Sequence, residues 1–329
     1  MHKPLCRWGI LGAGQAARNM ATAIASASGS ELQAVASRTS IPSEAAVSLG
    51  ARRFHRGYEE LLACRDIDVV HIATPHTAHY ENTLLCLRAG KHVVCEKPFS
   101  LSKSHAEEMI MTARSKGLFL MEAVWPRFLP VVIRCGHLIR EGAVGAVKLV
   151  NTSIAIRFDP AKDHRVFDPS LGGGALNELG TYPLAFAVAY LGPVLSCKAS
   201  STGGSRVNVQ CLFQCVHAEG LSSGFCALNF QGRNHVTIVG SEGQVTLLPA
   251  RGRFEKIAIW DRGTGNEVIE EHRYERSGYE FMVDHVNECV GDALLESRLM
   301  PLKDSLAMAE ALESCNTQLG PSRVSIRSK

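Results

Sequence analysis

From Arg7 to about Gly117, short apolar runs alternate with longer amphipathic stretches, the pattern of β–α–β units built around a parallel sheet. The apolar runs predict strands at 8–11, 32–37, 69–73 and 92–95, with a further one at 119–122. Between them, helical spacing of apolar residues predicts helices at 15–26, 43–49, 58–63, 80–89 and 104–116. A helix over 131–141 runs into Gly142 and Gly145, and from Val147 the pattern turns to β-rich segments separated by glycine-containing turns. One long helix is predicted at 175–190, followed by strands at 195–199, 208–215, 221–230, 235–239 and 244–247 that suggest an antiparallel sheet. Helices at 279–294 and 302–318 either cover that sheet or return toward the first domain. The expected fold class is α/β: a parallel-sheet domain over 1–125, then an α+β domain over 126–320 with a largely antiparallel open sheet, and a flexible tail over 321–329.

Composition narrows the function classes. A chain of 329 residues is long enough for two cores, and 46% hydrophobic with 20% charged residues is ordinary for a globular protein. The formal charge of +3 is scattered, with none of the concentrated basic stripe that nucleic-acid binding needs. No apolar run approaches the roughly eighteen residues of a membrane span, and the N-terminus has no signal-peptide pattern. The 11 cysteines form no CxxC pair or zinc-type spacing, so most are expected to be buried thiols in a reducing compartment. A soluble cytoplasmic protein with small-molecule partners, no membrane or nucleic-acid partner and no metal is expected.

The first chemical signal is Gly12-Ala13-Gly14-Gln15-Ala16-Ala17, a G-x-G-x-x-A between a predicted strand and helix. Gly12 permits the tight turn, Gly14 lets a diphosphate approach the backbone, and Ala17 allows close helix–strand packing. The helix N-terminus adds N–H groups and a positive dipole end. At the end of the second strand, where an acidic residue would hold the ribose of NAD, stand Ser37 and Arg38. A hydroxyl and a guanidinium suit a 2′-phosphate, so NADP(H) is expected over NAD(H); the alternative is a solvated arginine at a strand end.

After the fourth strand comes Glu96-Lys97-Pro98, placing Lys97 at the carboxyl edge of a parallel sheet, where open α/β folds bind ligands. This tripeptide after Gly-Lys-His-Val-Val, with Ala-Thr-Pro-His-Thr-Ala-His-Tyr-Glu at 73–81 and Gly-Gly-Gly-Ala-Leu-Asn-Glu-Leu-Gly-Thr-Tyr-Pro at 172–183, resembles the Gfo/Idh/MocA family of NAD(P)-dependent oxidoreductases. Within it, the run 117–130 is most similar to the dihydrodiol dehydrogenase branch, and the resemblance extends over nearly the whole chain.

The resemblance implies a Rossmann domain followed by an α/β domain whose open sheet forms one wall of the substrate site and often an oligomer interface, here of a homodimer or homotetramer. It implies hydride transfer to or from a small diol, polyol or sugar. Lys97 would lie beside the nicotinamide, while Thr74, Pro75, His76 and His79 would belong to the segment passing over the cofactor, unless the two histidines simply start a helix. Glu178 and Tyr182 are four residues apart and would share a face of one helix. The family carries a tyrosine at the second position but an aspartate at the first, and one methylene of displacement, roughly 1 Å, can cost about a hundredfold in rate. Tyr182, its phenolate favoured by the Lys97 ammonium, would take the hydroxyl proton, with Lys97 the alternative proton carrier. Trp125 and Arg127 would offer an apolar wall and an anchor for oxygen atoms, or else pack between domains. Phe158, His164 and Arg165 are weaker substrate-site candidates. Two other readings stay open: a catalytically silent NADP-binding regulator, and a redox-assisted glycosidase.

Overall fold

The computed structural model describes residues 5–38, 49–203, 206–250 and 253–320, so the tail and all but the last residue of the helix predicted at 43–49 lie outside them. Contacts divide the chain into two units: Met1–Ser100 with Ser104–Phe128 and Glu275–Leu302, and Leu101–Lys103 with Leu129–Tyr274 and Lys303–Lys329. The division differs from a single cut after residue 125. The predicted return toward the first domain is made by the helix beginning at Tyr279, not by the one beginning at Leu302.

The first unit holds a six-stranded parallel sheet in the order β3-β2-β1-β4-β5-β6. Its strands are β1 (Cys6–Leu11), β2 (Ser30–Ala36), β3 (Arg53–His55), β4 (Val69–Ile72), β5 (His92–Glu96) and β6 (Leu120–Ala123). Central strands covered on both faces need apolar side chains at nearly every position, hence the short continuous runs; β4 is buried throughout. β3, only three half-buried residues, has no such run and was not anticipated. The helices are α1 (Gln15–Ser26), α2 (Tyr58–Leu62), α3 (His79–Arg88) and α4 (Lys103–Lys116). A later helix, Tyr279–Gly291, packs on α1, and its Asn287 side-chain oxygen accepts the indole N–H of fully buried Trp8 at 3.1 Å.

The second unit opens with α5 (Pro130–Arg140) and holds an eight-stranded sheet in the order β14-β13-β12-β11-β7-β10-β9-β8. Its strands are β7 (Val147–Ala155), β8 (Ser196–Gly203), β9 (Asn208–Val216), β10 (Leu221–Ala227), β11 (His235–Gly240), β12 (Gly243–Ala250), β13 (Arg253–Asp261) and β14 (Glu267–Glu271). Every neighbouring pair is antiparallel except β7 with β10. One face is apolar and covered, with Val150, Phe213, Ile238, Val245 and Leu247 buried on it.

The helix predicted over 175–190 is two helices, α6 (Ala175–Leu179) and α7 (Thr181–Leu191), which meet at Gly180. Glycine is a poor helix interior residue, and Pro183 lacks the N–H that would bond the Leu179 carbonyl. Glu178 and Tyr182 therefore stand on different helices, and their four-residue spacing no longer places them on a common face. α8 is the Tyr279–Gly291 helix of the first unit, and α9 (Leu302–Leu319) closes the second.

Candidate active site

In the first unit the candidate residues gather at the carboxyl edge of the sheet. β1, β4 and β5 are neighbours in register, Leu11 beside Ile72 and Ile72 beside Cys95. The three loops that follow them therefore emerge side by side, carrying Gly12–Gly14, Thr74–His76 and Lys97. This is the place where strand order reverses and open α/β sheets take ligands.

The glycine turn has the shape a diphosphate requires. Gly12 has φ +102°, and a Cβ there would sit 2.4 Å from the Ala73 carbonyl oxygen, so no other residue fits. A Cβ on Gly14 would meet nothing within 4 Å, which leaves open space before the first turn of α1. Gly14 caps that helix with extended backbone and no side-chain bond, so the N–H groups around Gln15 and Ala16 keep their anion-binding capacity. Arg18, which the sequence reading passed over, reaches back from the second turn of α1 to the Ala13 carbonyl at 3.4 Å. Its position four residues after Gly14 was the signal available. Ser37 is buried, with its N–H on the His55 carbonyl, while the guanidinium of exposed Arg38 lies 4.9 Å over the Tyr58 ring. That stacking holds Arg38 beside the end of β2. A dinucleotide fits these residues.

Lys97 is buried on a turn tied down from three directions. The Lys97 N–H donates to Glu96 Oε2 at 3.2 Å, the Phe99 N–H donates to Glu122 Oε1 at 2.8 Å, and His79 Nδ1 stands 2.8 Å from the Pro98 carbonyl. The other ring nitrogen of His79 is 3.0 Å from the Thr74 carbonyl, and Thr74 Oγ1 accepts from Asn82 at 3.0 Å. The His79 ring is thus spent on joining two loops. Full burial pulls its pKa below the ordinary value, although the two carbonyls and Glu96 oppose this. A neutral ring donates to one carbonyl at a time.

Glu96 faces the opposite balance. Burial pushes its carboxyl upward, but His71, Lys97 and His79 nearby more than offset this and leave it below the usual carboxylate range. His71 Nε2 is 3.4 Å from Glu96 Oε1, a close approach in which neither ring nitrogen of His71 has hydrogen-bond geometry to a partner. Glu122, His71 and Asn82 carry no local sequence signal, because each meets its partner across the sheet or between loops.

Trp125 and Arg127 pack within the first unit: Trp125 stacks on Tyr279 at 4.7 Å, and Arg127 lies 3.2 Å from the Met300 sulfur. Both are half-buried. In the second unit, Arg165 donates to buried Glu178 at 2.9 Å, and Tyr182 is half-buried at the start of α7. Phe158 is half-buried with its N–H on the Leu228 carbonyl, and His164 is exposed. Among the described residues no three His, Cys, Asp or Glu side chains converge as metal ligands, and no helix is long and apolar enough to cross a membrane.

Comparison with known proteins agrees with this architecture. Residues 6–124 match the model of an oxidoreductase family with an NAD-binding Rossmann fold, and residues 132–246 match the C-terminal domain model of the same family. The chain is 32% identical to trans-1,2-dihydrobenzene-1,2-diol dehydrogenase of Bos taurus, over 95% of this chain and 97% of that protein. It is 31% identical to the NADP(+)-dependent D-xylose 1-dehydrogenase of Hypocrea jecorina, over 80% of this chain and 75% of that one. Among solved structures, the aldose-aldose oxidoreductase of Caulobacter crescentus in complex with glycerol superposes with a TM-score of 0.82 at 26% identity, covering 95% of this chain and 97% of the other. Both domain models and a relative matched over 95% of the chain agree on one assignment: the chain belongs to the Gfo/Idh/MocA family of oxidoreductases.

Proposed function

We propose that the protein is an NADP(H)-dependent dehydrogenase acting on the CH–OH group of a small diol, polyol or sugar. The observation that carries this reading is the row of three loops at one sheet edge, with a diphosphate-shaped glycine turn at one end and a buried, triply tied lysine at the other. Dihydrodiol and D-xylose dehydrogenases among the relatives support the substrate class.

NADP(H), when bound, supplies the hydride acceptor or donor. Gly12, Ala13, Gly14, Gln15 and Ala16 cradle its diphosphate, and Ser37 with Arg38 recognises the 2′-phosphate. Thr74, Pro75 and His76 line the neighbouring loop. His79 and Glu96 act from behind, holding the Lys97 turn in place. Lys97 points an ammonium at the substrate hydroxyl oxygen, and Tyr182 Oη takes the hydroxyl proton in oxidation and returns it in reduction. Glu178 orients substrate while Arg165 holds its carboxylate. Trp125, Arg127 and Phe158 contribute apolar surface and an oxygen anchor.

We also assign the protein to the cytoplasm, as a homodimer or homotetramer joined through the uncovered sheet face. Register places Val216, Leu221, Leu149, Val239, Gln244 and Trp260 in one row across six strands of that face, and Val216, Leu221 and Trp260 are exposed. Such a row favours self-association. Leu221→Asp should reduce the mass in sedimentation to that of a single chain, and a wild-type protein already monomeric contradicts the assignment.

The test of function is nicotinamide absorbance with both cofactors against polyols, aldoses and cyclic diols. Turnover with NADP(H) is expected, and Lys97→Met and Tyr182→Phe should each lower kcat by about a hundredfold or more while NADPH still binds. Arg38→Ala should weaken NADPH about tenfold or more and leave NADH unchanged, as loss of a charge-assisted bond worth ~1.5–3 kcal/mol requires. Cofactor binding without turnover across the panel would replace the reading with a regulator. Net sugar hydrolysis without NADPH accumulation would replace it with a glycosidase.

A further inference from the structure

Five of the cysteines come from one patch of the second unit: Cys197 on β8, Cys211 and Cys215 on β9, Cys226 on β10, and Cys315 on α9. Cys197 is register partner to Cys215, and Cys211 to Cys226. Between strand and helix, the sulfurs of Cys315 and Cys197 stand 3.4 Å apart. From this geometry we propose that Cys197 and Cys315 form an oxidisable dithiol, a modification site for hydroperoxides that closes into a disulfide joining β8 to α9.

The two thiols differ in the way a stepwise oxidation needs. Cys197 is half-buried and open enough to meet a small oxidant, whereas Cys315 is fully buried. Polar groups surround the Cys197 sulfur: Ser314 Oγ at 3.2 Å and the Gln318 side-chain N–H at 3.5 Å, the latter able to donate to a thiolate. Burial raises the Cys315 thiol far above its ordinary pKa, which keeps it protonated and unreactive toward the oxidant itself. Half-buried Cys197 therefore reacts with the oxidant first, and buried Cys315 reacts second, with Cys197.

Cys197 gives up its thiol proton, the thiolate attacks one oxygen of the hydroperoxide, the O–O bond breaks, and the departing oxygen takes up a proton to leave as water or an alcohol; the sulfur is now a sulfenic acid. The Cys315 sulfur then attacks the Cys197 sulfur, the S–O bond breaks, and the hydroxyl departs as water with the Cys315 proton. Two electrons pass from the thiols to the hydroperoxide. The sulfurs must close by roughly 1.4 Å to reach the ~2.05 Å of a disulfide. Because the bond joins an outer strand to the helix lying against it, a small shift of α9 achieves this without breaking the sheet ladder. Gln318, which also bonds the Cys197 carbonyl at 3.0 Å, already holds the two elements together.

Native protein is treated with hydrogen peroxide, alkylated, digested without reduction and read by mass spectrometry. A Cys197–Cys315 linked peptide that a dithiol reductant removes is expected, with two fewer titratable thiols per chain. In Cys315→Ser the sulfenic acid at Cys197 should persist and be trapped by dimedone; in Cys197→Ser Cys315 should stay reduced. The proposal is overturned if the native wild type yields no such linked peptide, if Cys197 pairs predominantly with Cys215, or if Cys315 oxidises in the absence of Cys197. The wild-type peptide map decides the matter even where a variant fails to fold.

Discussion

His79 illustrates how one side chain can join two loops of a candidate site. Its two ring nitrogens face the carbonyls of Pro98 and Thr74, so one imidazole bridges the turn that carries Lys97 and the loop beside it. Replacing it with alanine removes the one hydrogen bond that the ring donates to these carbonyls, at ~1–3 kcal/mol, and frees the turn to drift. We expect His79→Ala to lower kcat by roughly a hundredfold, the cost of about 1 Å of misplacement, while NADPH affinity changes far less. Parallel kcat and fluorescence-titration measurements check this, and unaltered turnover in a folded variant rules it out. At this scale the sequence was partly legible. Gly12 and Gly14 stood out because phosphate chemistry demands glycine at set intervals, and Lys97 because it follows a strand and resembles a known tripeptide. Glu122 and Asn82 could not be found that way, since nothing beside them in the sequence points to Phe99, 23 residues from Glu122, or to Thr74, 8 residues from Asn82.

Elements were most legible where periodicity is long and unmixed. The helix predicted at 15–26 is the one observed, and the central parallel strands shift by only a residue or two at their ends. Reading failed where local composition blurs the period. β13 and β14 mix charged with apolar residues, because Glu270 and Arg253 form ion pairs with Arg134 and Glu255 instead of lying in solvent. The break at Gly180 was hidden by apolar residues running through both helices. It is a packing requirement as well as a weak helix former: a Cβ at Gly180 would lie 2.5 Å from the Leu176 carbonyl oxygen, a backbone atom that cannot turn aside. Gly180→Ala should therefore cost about 1–3 kcal/mol through overpacking, where helix propensity alone would forecast a gain. Denaturant unfolding measures it, and a stabilised variant would show that α6 and α7 can merge.

For the whole molecule, buried titratable groups set the response to acid. Burial lowers the pKa of His79, His92 and His285. Asp68 is also lowered: burial pushes it up, but two bonds from Arg7 and one from the Arg7 backbone outweigh that. Unfolded, these side chains take up protons near about 6.5 for histidine and about 3.9 for aspartate; folded, they resist until lower pH. Between the two values the unfolded chain binds more protons, so stability falls as pH falls. The Tm should begin to drop below about pH 6.5 and drop again below about 4, with Asp68→Asn flattening the second step. A Tm that climbs on mild acidification contradicts this. The two-part plan of the chain was visible in the change of pattern after Val147, but not the path by which Glu275–Leu302 rejoins the first unit. Amphipathic helices announce that they will pack, not upon which sheet. That path has a consequence for biogenesis. The side chain that bonds the Trp8 indole belongs to Asn287, so the ribosome must translate through the Tyr279–Gly291 helix before the first unit can acquire it. Until then the nascent N-terminal sheet is an unfinished body, exposed to chaperones and proteases for most of its own synthesis.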